Sequence, residues 1–171
     1  MGLISAVGKW VVDQAIRLCQ KILPVHPTFK LSFNISYLQI MDDQLFPFIK
    51  RRMEETGVPG RNLFIELTES HSDTLPKQLE LFIEQCKGLG IRFALDDFGN
   101  GYSSVQMLLQ YPMDLVKFDR SLVKEMAASK EKLDFIVNTI HTCHEFNKQV
   151  CIEGVEYKKE LDLVRQTECD Y

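Results

Sequence analysis

The sequence predicts an α/β protein with a parallel sheet covered by helices. Two patterns carry this expectation. Short apolar segments with strand character alternate with amphipathic helical segments along the whole chain. The strand segments are also too continuously apolar to leave one face wet, which marks parallel strands buried on both sides. A third regularity points to function: ionisable or metal-capable residues stand at or just past the C-terminal end of every strand segment, where parallel α/β proteins gather their active sites.

From Leu3 to Leu23 the residues Ile4, Val7, Val11, Ala15, Leu18 and Ile22 recur at three- and four-residue steps, predicting a helix that Pro24 and Pro27 end. Leu31 to Ile35 reads as a strand, and Asp43 to Thr56 as a helix stopped by Gly57 and Pro59. Leu63 to Leu67 is the second strand, Pro76 to Leu89 a helix closed by Gly90, and Ile91 to Leu95 the third strand. A polar turn through Gly99 and Gly101, a short helix at Val105 to Leu109 and a strand from Leu115 to Phe118 follow. Leu133 to Phe146 is a long helix, Val150 to Ile152 the fifth strand, and Lys158 to Gln166 the last helix. Trp10 and Phe82 lie on or beside apolar helical stripes and are expected to pack in the core. No linker or low-complexity tract divides the 171 residues, which are taken as a single partial domain.

Composition narrows the function. With 45% hydrophobic and 26% charged residues the chain can bury a sizeable core, and a net charge of −4 offers no basic surface for long nucleic acid or anionic membrane. Cys19, Cys86, Cys143, Cys151 and Cys169 are odd in number and form no C-x-x-C pair, so they read as reduced thiols of a cytoplasmic protein. No apolar run approaches the roughly 18 residues of a membrane span, so this segment is expected to make no membrane contact, although a longer parent could be anchored to the inner membrane.

The strand-end residues are Asn34, Glu66 with Glu69, Asp96 with Asp97, Lys117 with Asp119, and Glu153 with Glu156. Taken singly, each has an ordinary structural explanation: Asp96 and Asp97 as caps, Glu66 and Glu69 as surface charge, Lys117 and Asp119 as an ion pair. Their recurrence at one end of five strands describes instead an oxygen-rich pocket suited to hard cations such as Mg²⁺ or Mn²⁺. Two adjacent aspartates at a strand end can bridge a pair of ions. Lys117 could orient or deprotonate a water beside them. The five residues Asn34, Glu66, Asp96, Lys117 and Glu153 are expected to converge.

Other motifs fail on context. Asp97-Phe98-Gly99 spells a kinase magnesium motif, and the run ending in Asp96-Asp97 resembles a Walker B strand. The sequence holds no phosphate-binding glycine loop and no His-Arg-Asp. Asn100-Gly101 lacks a returning strand to make it a hairpin. His144-Glu145 begins a zinc motif that fails at Lys148, leaving His141, Cys143, His144 and Glu145 as ordinary helix residues.

Five ordered segments resemble the signatures of EAL domains: Leu31-Ser32-Phe33-Asn34-Ile35-Ser36, Glu66-Leu67-Thr68-Glu69, Asp96-Asp97-Phe98-Gly99-Asn100-Gly101-Tyr102-Ser103-Ser104, Lys117-Phe118-Asp119 and Glu153-Gly154-Val155-Glu156. The resemblance implies a (β/α)₈ TIM-barrel-like fold that hydrolyses cyclic di-GMP to linear pGpG with two metal ions, Mg²⁺ or Mn²⁺. It implies metal ligation by Asn34, Glu66, Asp96, Asp97 and Glu153, with Asp96 bridging, Asp97 on the second ion, and Lys117 as general base. Glu69 would anchor a mobile loop running from Asp97 through Phe98, Gly99, Asn100, Gly101, Tyr102 and Ser103 to Ser104. Asp119 and Glu156 would support the substrate site. Asn100 stands where threonine is commoner.

In the same comparison about five of eight strands are accounted for, and neither the glutamate of a Glu-Ala-Leu strand nor the glutamine of a Gln-Gly-Tyr strand has a counterpart in the sequence. The chain is therefore expected to be an incomplete barrel, inactive alone, and prone to self-association or homodimer formation through open strand edges. Sensor or diguanylate cyclase domains are expected in the parent, and a non-catalytic cyclic di-GMP receptor or interaction module is the competing reading.

Overall fold

The computed structural model describes residues 2–67, 77–99 and 108–171. The chain packs as two compact units, Met1–Phe93 and Ala94–Tyr171, whose boundary falls inside the third strand.

The first unit opens with α1 (Gly2–Ile22), followed by β1 (Leu31–Asn34), a single-turn α2 (Tyr37–Ile40), α3 (Leu45–Thr56), β2 (Leu63–Leu67) and α4 (Lys77–Gly88). β1 and β2 pair in parallel, with Leu31 opposite Leu63 and Asn34 opposite Glu66. β2 is buried along its whole length, as a parallel strand should be. β1 is not: Ser32 and Asn34 are exposed while Phe33 is buried, so the expectation of uniformly buried strands holds for β2 and fails for β1.

α1 forms where periodicity places it, but it buries a different face. The buried residues are Gly8, Val12, Ala15, Ile16 and Cys19, whereas Val7 and Leu18 are exposed and Trp10 is 63% exposed. The expected stripe holds at Ala15, which is buried, and in part at the half-buried Val11 and Ile22, but fails at Ile4, Val7 and Leu18, and the expected core position of Trp10 is corrected. The helix is apolar over most of its circumference, so spacing alone does not choose a face, and polar partners do. Asp13 accepts from Arg52 of α3 at 2.7 Å and from Arg17 at 2.7 Å. Partial burial opposes ionisation of Asp13, yet Arg17 and Arg52 hold its carboxyl below the ordinary range. α3 supplies Leu45, Ile49 and Met53 at four-residue spacing, and ends where Gly57 (φ 70°) donates its N–H to the carbonyl of Met53 at 2.8 Å. Phe82 is buried in α4 and meets Phe93 edge-on, as expected.

α2 was not expected. Ser36 starts it, and Gln39 Oε1 accepts the Ser36 N–H at 2.7 Å while Gln39 Nε2 donates to the Ile4 carbonyl at 3.2 Å.

The second unit holds the body of β3 (Arg92–Phe98), then β4 (Leu115–Phe118), α5 (Arg120–Ala128), α6 (Lys130–Glu145), β5 (Gln149–Ile152) and α7 (Lys158–Val164). β4 pairs in parallel with both β3 and β5. β4 is fully buried, whereas β5 alternates between buried and half-buried residues. The helix expected from Leu133 to Phe146 is α6, which starts three residues earlier, and α5 before it was not expected. Asp119 caps α5 by accepting the Ser121 N–H at 2.8 Å, and Ser129 Oγ accepts the Lys132 N–H at the start of α6. After α7 the chain returns to β5: Ile152 donates to the Tyr171 carbonyl at 3.0 Å, and Asp170 Oδ2 accepts the Val150 N–H at 2.7 Å.

No helix among the described residues is long and apolar enough to cross a membrane. All five cysteines are free thiols, and burial raises those of Cys86 and Cys143 to about 12 and about 11.

Candidate active site at the strand ends

In the first unit, Asn34 is the last residue of β1 and Glu66 the penultimate residue of β2. The parallel register sets them side by side, and Asn34 Nδ2 donates to Glu66 Oε2 at 2.9 Å. Glu66 is only 4% exposed, a carboxylate carried inside by a fully buried strand. With the amide nitrogen engaged, the atoms this pair offers to a cation are the Asn34 amide oxygen and the Glu66 carboxylate, both hard donors.

In the second unit, three strands converge on Lys117. It is the penultimate residue of β4, and its side chain is 10% exposed. Lys117 Nζ lies 2.8 Å from Asp96 Oδ1 and 2.9 Å from Glu153 Oε1. Asp96 comes from β3 and Glu153 from the residue after β5, so both flanking strands deliver a carboxylate to the same ammonium. Two carboxylates brought to one cationic nitrogen show that this end of the strands can gather negative charge around a positive centre. Burial makes a partner obligatory for Lys117 and Asp96, whose side chains are 10% and 12% exposed, whereas the Glu153 side chain is 42% exposed.

β3 extends three residues beyond its expected end at Leu95. Leu95 pairs with Val116 but Phe98 pairs with Phe118, so three steps on β3 match two on β4. The extra residue is a β-bulge at Asp96-Asp97, with Asp97 in the left-handed region at φ 55°. Aspartate tolerates that conformation better than most residues. In a regular strand adjacent side chains face opposite sides. The bulge breaks that alternation where the sequence carries two consecutive carboxylates, Asp96 buried and Asp97 exposed. Phe98 then stacks on Phe118 with ring centroids 5.1 Å apart, which anchors the strand end.

The remaining candidates divide. Asp119 is the N-cap of α5, a structural role beside its expected supporting one. Glu156 pairs with Arg120 Nη2 at 3.0 Å. Arg120 was not singled out in the sequence, and an arginine directly after a capping aspartate carries no signal of its own. Glu69 and loop residues Asn100, Gly101, Tyr102, Ser103 and Ser104 lie outside the described residues, as does most of the expected helix at Val105 to Leu109. Phe98 and Gly99 are described, Gly99 with φ 106°. Among the described residues no group of three or more His, Cys, Asp or Glu side chains clusters as a metal site. The oxygen donors instead stand as the Asn34–Glu66 pair and the Asp96–Lys117–Glu153 cluster. Their chemistry fits Mg²⁺ or Mn²⁺ and not softer metals.

Comparison with known proteins places the chain in a family. The family model described as "EAL domain" matches residues 1–171. The "Cyclic di-GMP phosphodiesterase PdeR" of Escherichia coli is 32% identical over 93% of this chain and 24% of its own length. The structure "PaMucR Phosphodiesterase, c-di-GMP complex" superposes with a TM-score of 0.85 at 27% identity, covering 98% of this chain and 68% of that one. The cAMP- and cyclic-di-GMP-bound form of the EAL enzyme Bd1971 gives a TM-score of 0.86 at 25% identity, covering 99% and 47%. The chain spans about a fifth to a quarter of the length of the curated relatives it matches. Its five parallel strands and intervening helices have the TIM-barrel-like α/β fold of those structures. This chain belongs to the EAL-domain family.

Proposed function

We propose that the chain is the part of a cyclic di-GMP phosphodiesterase that supplies most of its metal ligands and its proton-handling lysine, converting cyclic di-GMP to linear pGpG. The observation that carries this reading is the burial of Lys117 between Asp96 and Glu153 at the C-terminal ends of parallel strands. Relatives named as cyclic di-GMP phosphodiesterases support it.

Asn34, Glu66, Asp96, Asp97 and Glu153 are the residues that would hold divalent ions, Asp96 serving both. Two such ions, when bound, supply an activated water and steady the oxygens of an in-line phosphoryl displacement. Lys117, held as an ammonium between Asp96 and Glu153, can orient the attacking water by donating to it, and can take up the water's proton only after giving up one of its own. Glu66, inside β2, keeps Asn34 in place through their hydrogen bond. Glu156 and Asp119 support the turn after β5 and the start of α5. Glu69 and the segment from Asp97 to Ser104 are proposed as loop anchor and mobile loop on motif position.

The sequence contains no Glu-Ala-Leu and no Gln-Gly-Tyr segment, and we propose that the 171 residues alone do not turn over substrate. The competing reading is a receptor that binds cyclic di-GMP without cleaving it. We also propose a cytoplasmic setting, in keeping with five free thiols, association of two copies, and partnership in the parent protein with sensor domains or with a cyclase domain of the kind the relative MucR is named for. The discriminating experiment adds the missing segments and incubates the protein with cyclic di-GMP and Mg²⁺, Mn²⁺ or Ca²⁺, following the nucleotide by chromatography. A phosphodiesterase releases linear product with Mg²⁺ or Mn²⁺. A receptor returns the cyclic dinucleotide intact under all three ions, and that result would overturn the enzymatic reading.

A further inference from the structure

The turn that carries Glu153 is held by two residues to which no role has been given, Gly154 and Arg120. Gly154 has φ 74°, and a Cβ placed on it would fall on Cβ of Arg120 and lie 3.1 Å from Arg120 Cα. Gly57 offers the contrast. Its φ is 70°, nearly the same, yet a Cβ there would meet nothing within 4 Å. The requirement at Gly154 is therefore more than turn geometry: the backbone after β5 lies directly against the first residue of α5.

That close approach bears on Glu153. Its N–H donates to the Phe118 carbonyl at 3.0 Å, its carboxylate reaches Lys117 at 2.9 Å, and the next residue is Gly154. The far end of the turn is tied by Arg120 to Glu156 at 3.0 Å, and by Glu160 Oε2, which accepts the Glu156 and Tyr157 N–H groups at 2.8 and 3.0 Å. Arg120 thus touches the turn twice, as a steric stop beneath Gly154 and as an ionic partner of Glu156.

We propose that Gly154 and Arg120 are positioning residues whose direct backbone contact sets the Glu153 carboxylate against Lys117. The catalytic meaning of that placement rests on the proposed phosphodiesterase reading; the placement itself does not. A side chain at Gly154 must lift the turn off α5 and draw Glu153 from Lys117, which then keeps Asp96 but loses one charge-assisted contact.

The test uses the full 171-residue chain without metal. Lysine acylation by acetic anhydride is read peptide by peptide by mass spectrometry, alongside the thermal midpoint. Gly154→Ala is expected to raise acylation of Lys117 about tenfold, the factor that corresponds to losing one hydrogen bond to a charged group. Lys148, which donates to the Met113 carbonyl, should stay at its wild-type level. Gly57→Ala should lower the midpoint without changing Lys117. Adding Arg120→Gly to Gly154→Ala removes the Cβ beneath the turn together with the Glu156 pair; with Arg120→Gly alone as the reference for losing that pair, the double variant should show Lys117 acylated no more than Arg120→Gly does.

Unchanged Lys117 acylation in a folded Gly154→Ala chain would overturn the proposal. If Gly154→Ala does not fold, the double variant decides: folding with Lys117 acylated no more than in Arg120→Gly upholds it, and failure to fold or higher acylation overturns it. Absence of metal-dependent cyclic di-GMP hydrolysis by a version carrying Glu-Ala-Leu and Gln-Gly-Tyr segments, with this acylation pattern intact, would remove the enzymatic reading and leave the positioning role standing.

Discussion

Asp96 is the residue on which the proposed chemistry depends most, because it touches Lys117 directly and is the carboxylate proposed to serve both ions. In a version carrying the missing segments, Asp96→Asn should lower kcat by about 100-fold or more, roughly 3 kcal/mol of transition-state stabilisation. The amide is isosteric, so circular dichroism should report an unchanged fold. Near-normal hydrolysis at saturating Mg²⁺ would end the bridging assignment. Asp42 governs a separate property, stability in acid. Lys9 at 2.8 Å, the Ser5 hydroxyl and the Gln44 N–H hold its carboxyl down at about 2, below the ordinary value of 3.8. A depressed folded value means stability that is full above pH 4 and lost as pH falls from about 4 towards 2. Because the pair is partly solvent-screened, the contribution is put at about 1 kcal/mol. Asp42→Asn should therefore lower the thermal midpoint at pH 7 and flatten its decline over that window. An unchanged pH profile in the variant would show that other carboxylates control acid unfolding.

At the scale of elements, the parts legible in the sequence are those whose pattern has a single physical solution. β2 and β4 fall where expected at Leu63–Leu67 and Leu115–Phe118, since apolar runs this short between polar turns are strand-length and too short for a typical helix. β3 was cut short at Leu95 because two consecutive aspartates read as a turn; the bulge that carries them inside the strand depends on pairing with β4 and leaves no local trace. α5 was not expected, because its cap Asp119 equally fits a strand-end site residue. The buried face of α1 was misplaced because apolar residues surround the helix and the choice rests on Asp13 meeting Arg52 in α3. Glycines give a test of the element contacts. A Cβ on Gly60 would fall on the Leu89 carbonyl oxygen and within 2.8 Å of the Ile91 nitrogen, so Gly60→Ala should cost about 3 kcal/mol or more by denaturant unfolding. Gly88, the last residue of α4, has nothing within 4 Å, and Gly88→Ala should stabilise by about 0.5–1 kcal/mol through helix propensity. Equal effects at the two positions would mean that the backbones at Gly60 and Leu89 do not meet closely.

For the molecule as a whole, the fold class followed from alternation and apolar strands, while the family followed from the order of five motifs and is established by the match over residues 1–171. Of the candidate site, the strand-end positions were legible, because parallel strands in successive strand–helix units all present the same end. The partners were not: that Asn34 bonds Glu66, and that Lys117 pairs with both Asp96 and Glu153, depends on register between strands far apart in sequence. The central claim is that these residues form the metal-dependent machinery of a cyclic di-GMP phosphodiesterase, completed by segments this sequence does not contain. The most direct measurement is cyclic di-GMP turnover, with Mg²⁺ and with Mn²⁺, by the 171-residue chain and by a version carrying Glu-Ala-Leu and Gln-Gly-Tyr segments at its two ends. Metal-dependent release of pGpG by the extended version, with little or none from the chain alone, is the predicted result. Equal rates from the two, or no metal-dependent product from the extended version, would contradict it.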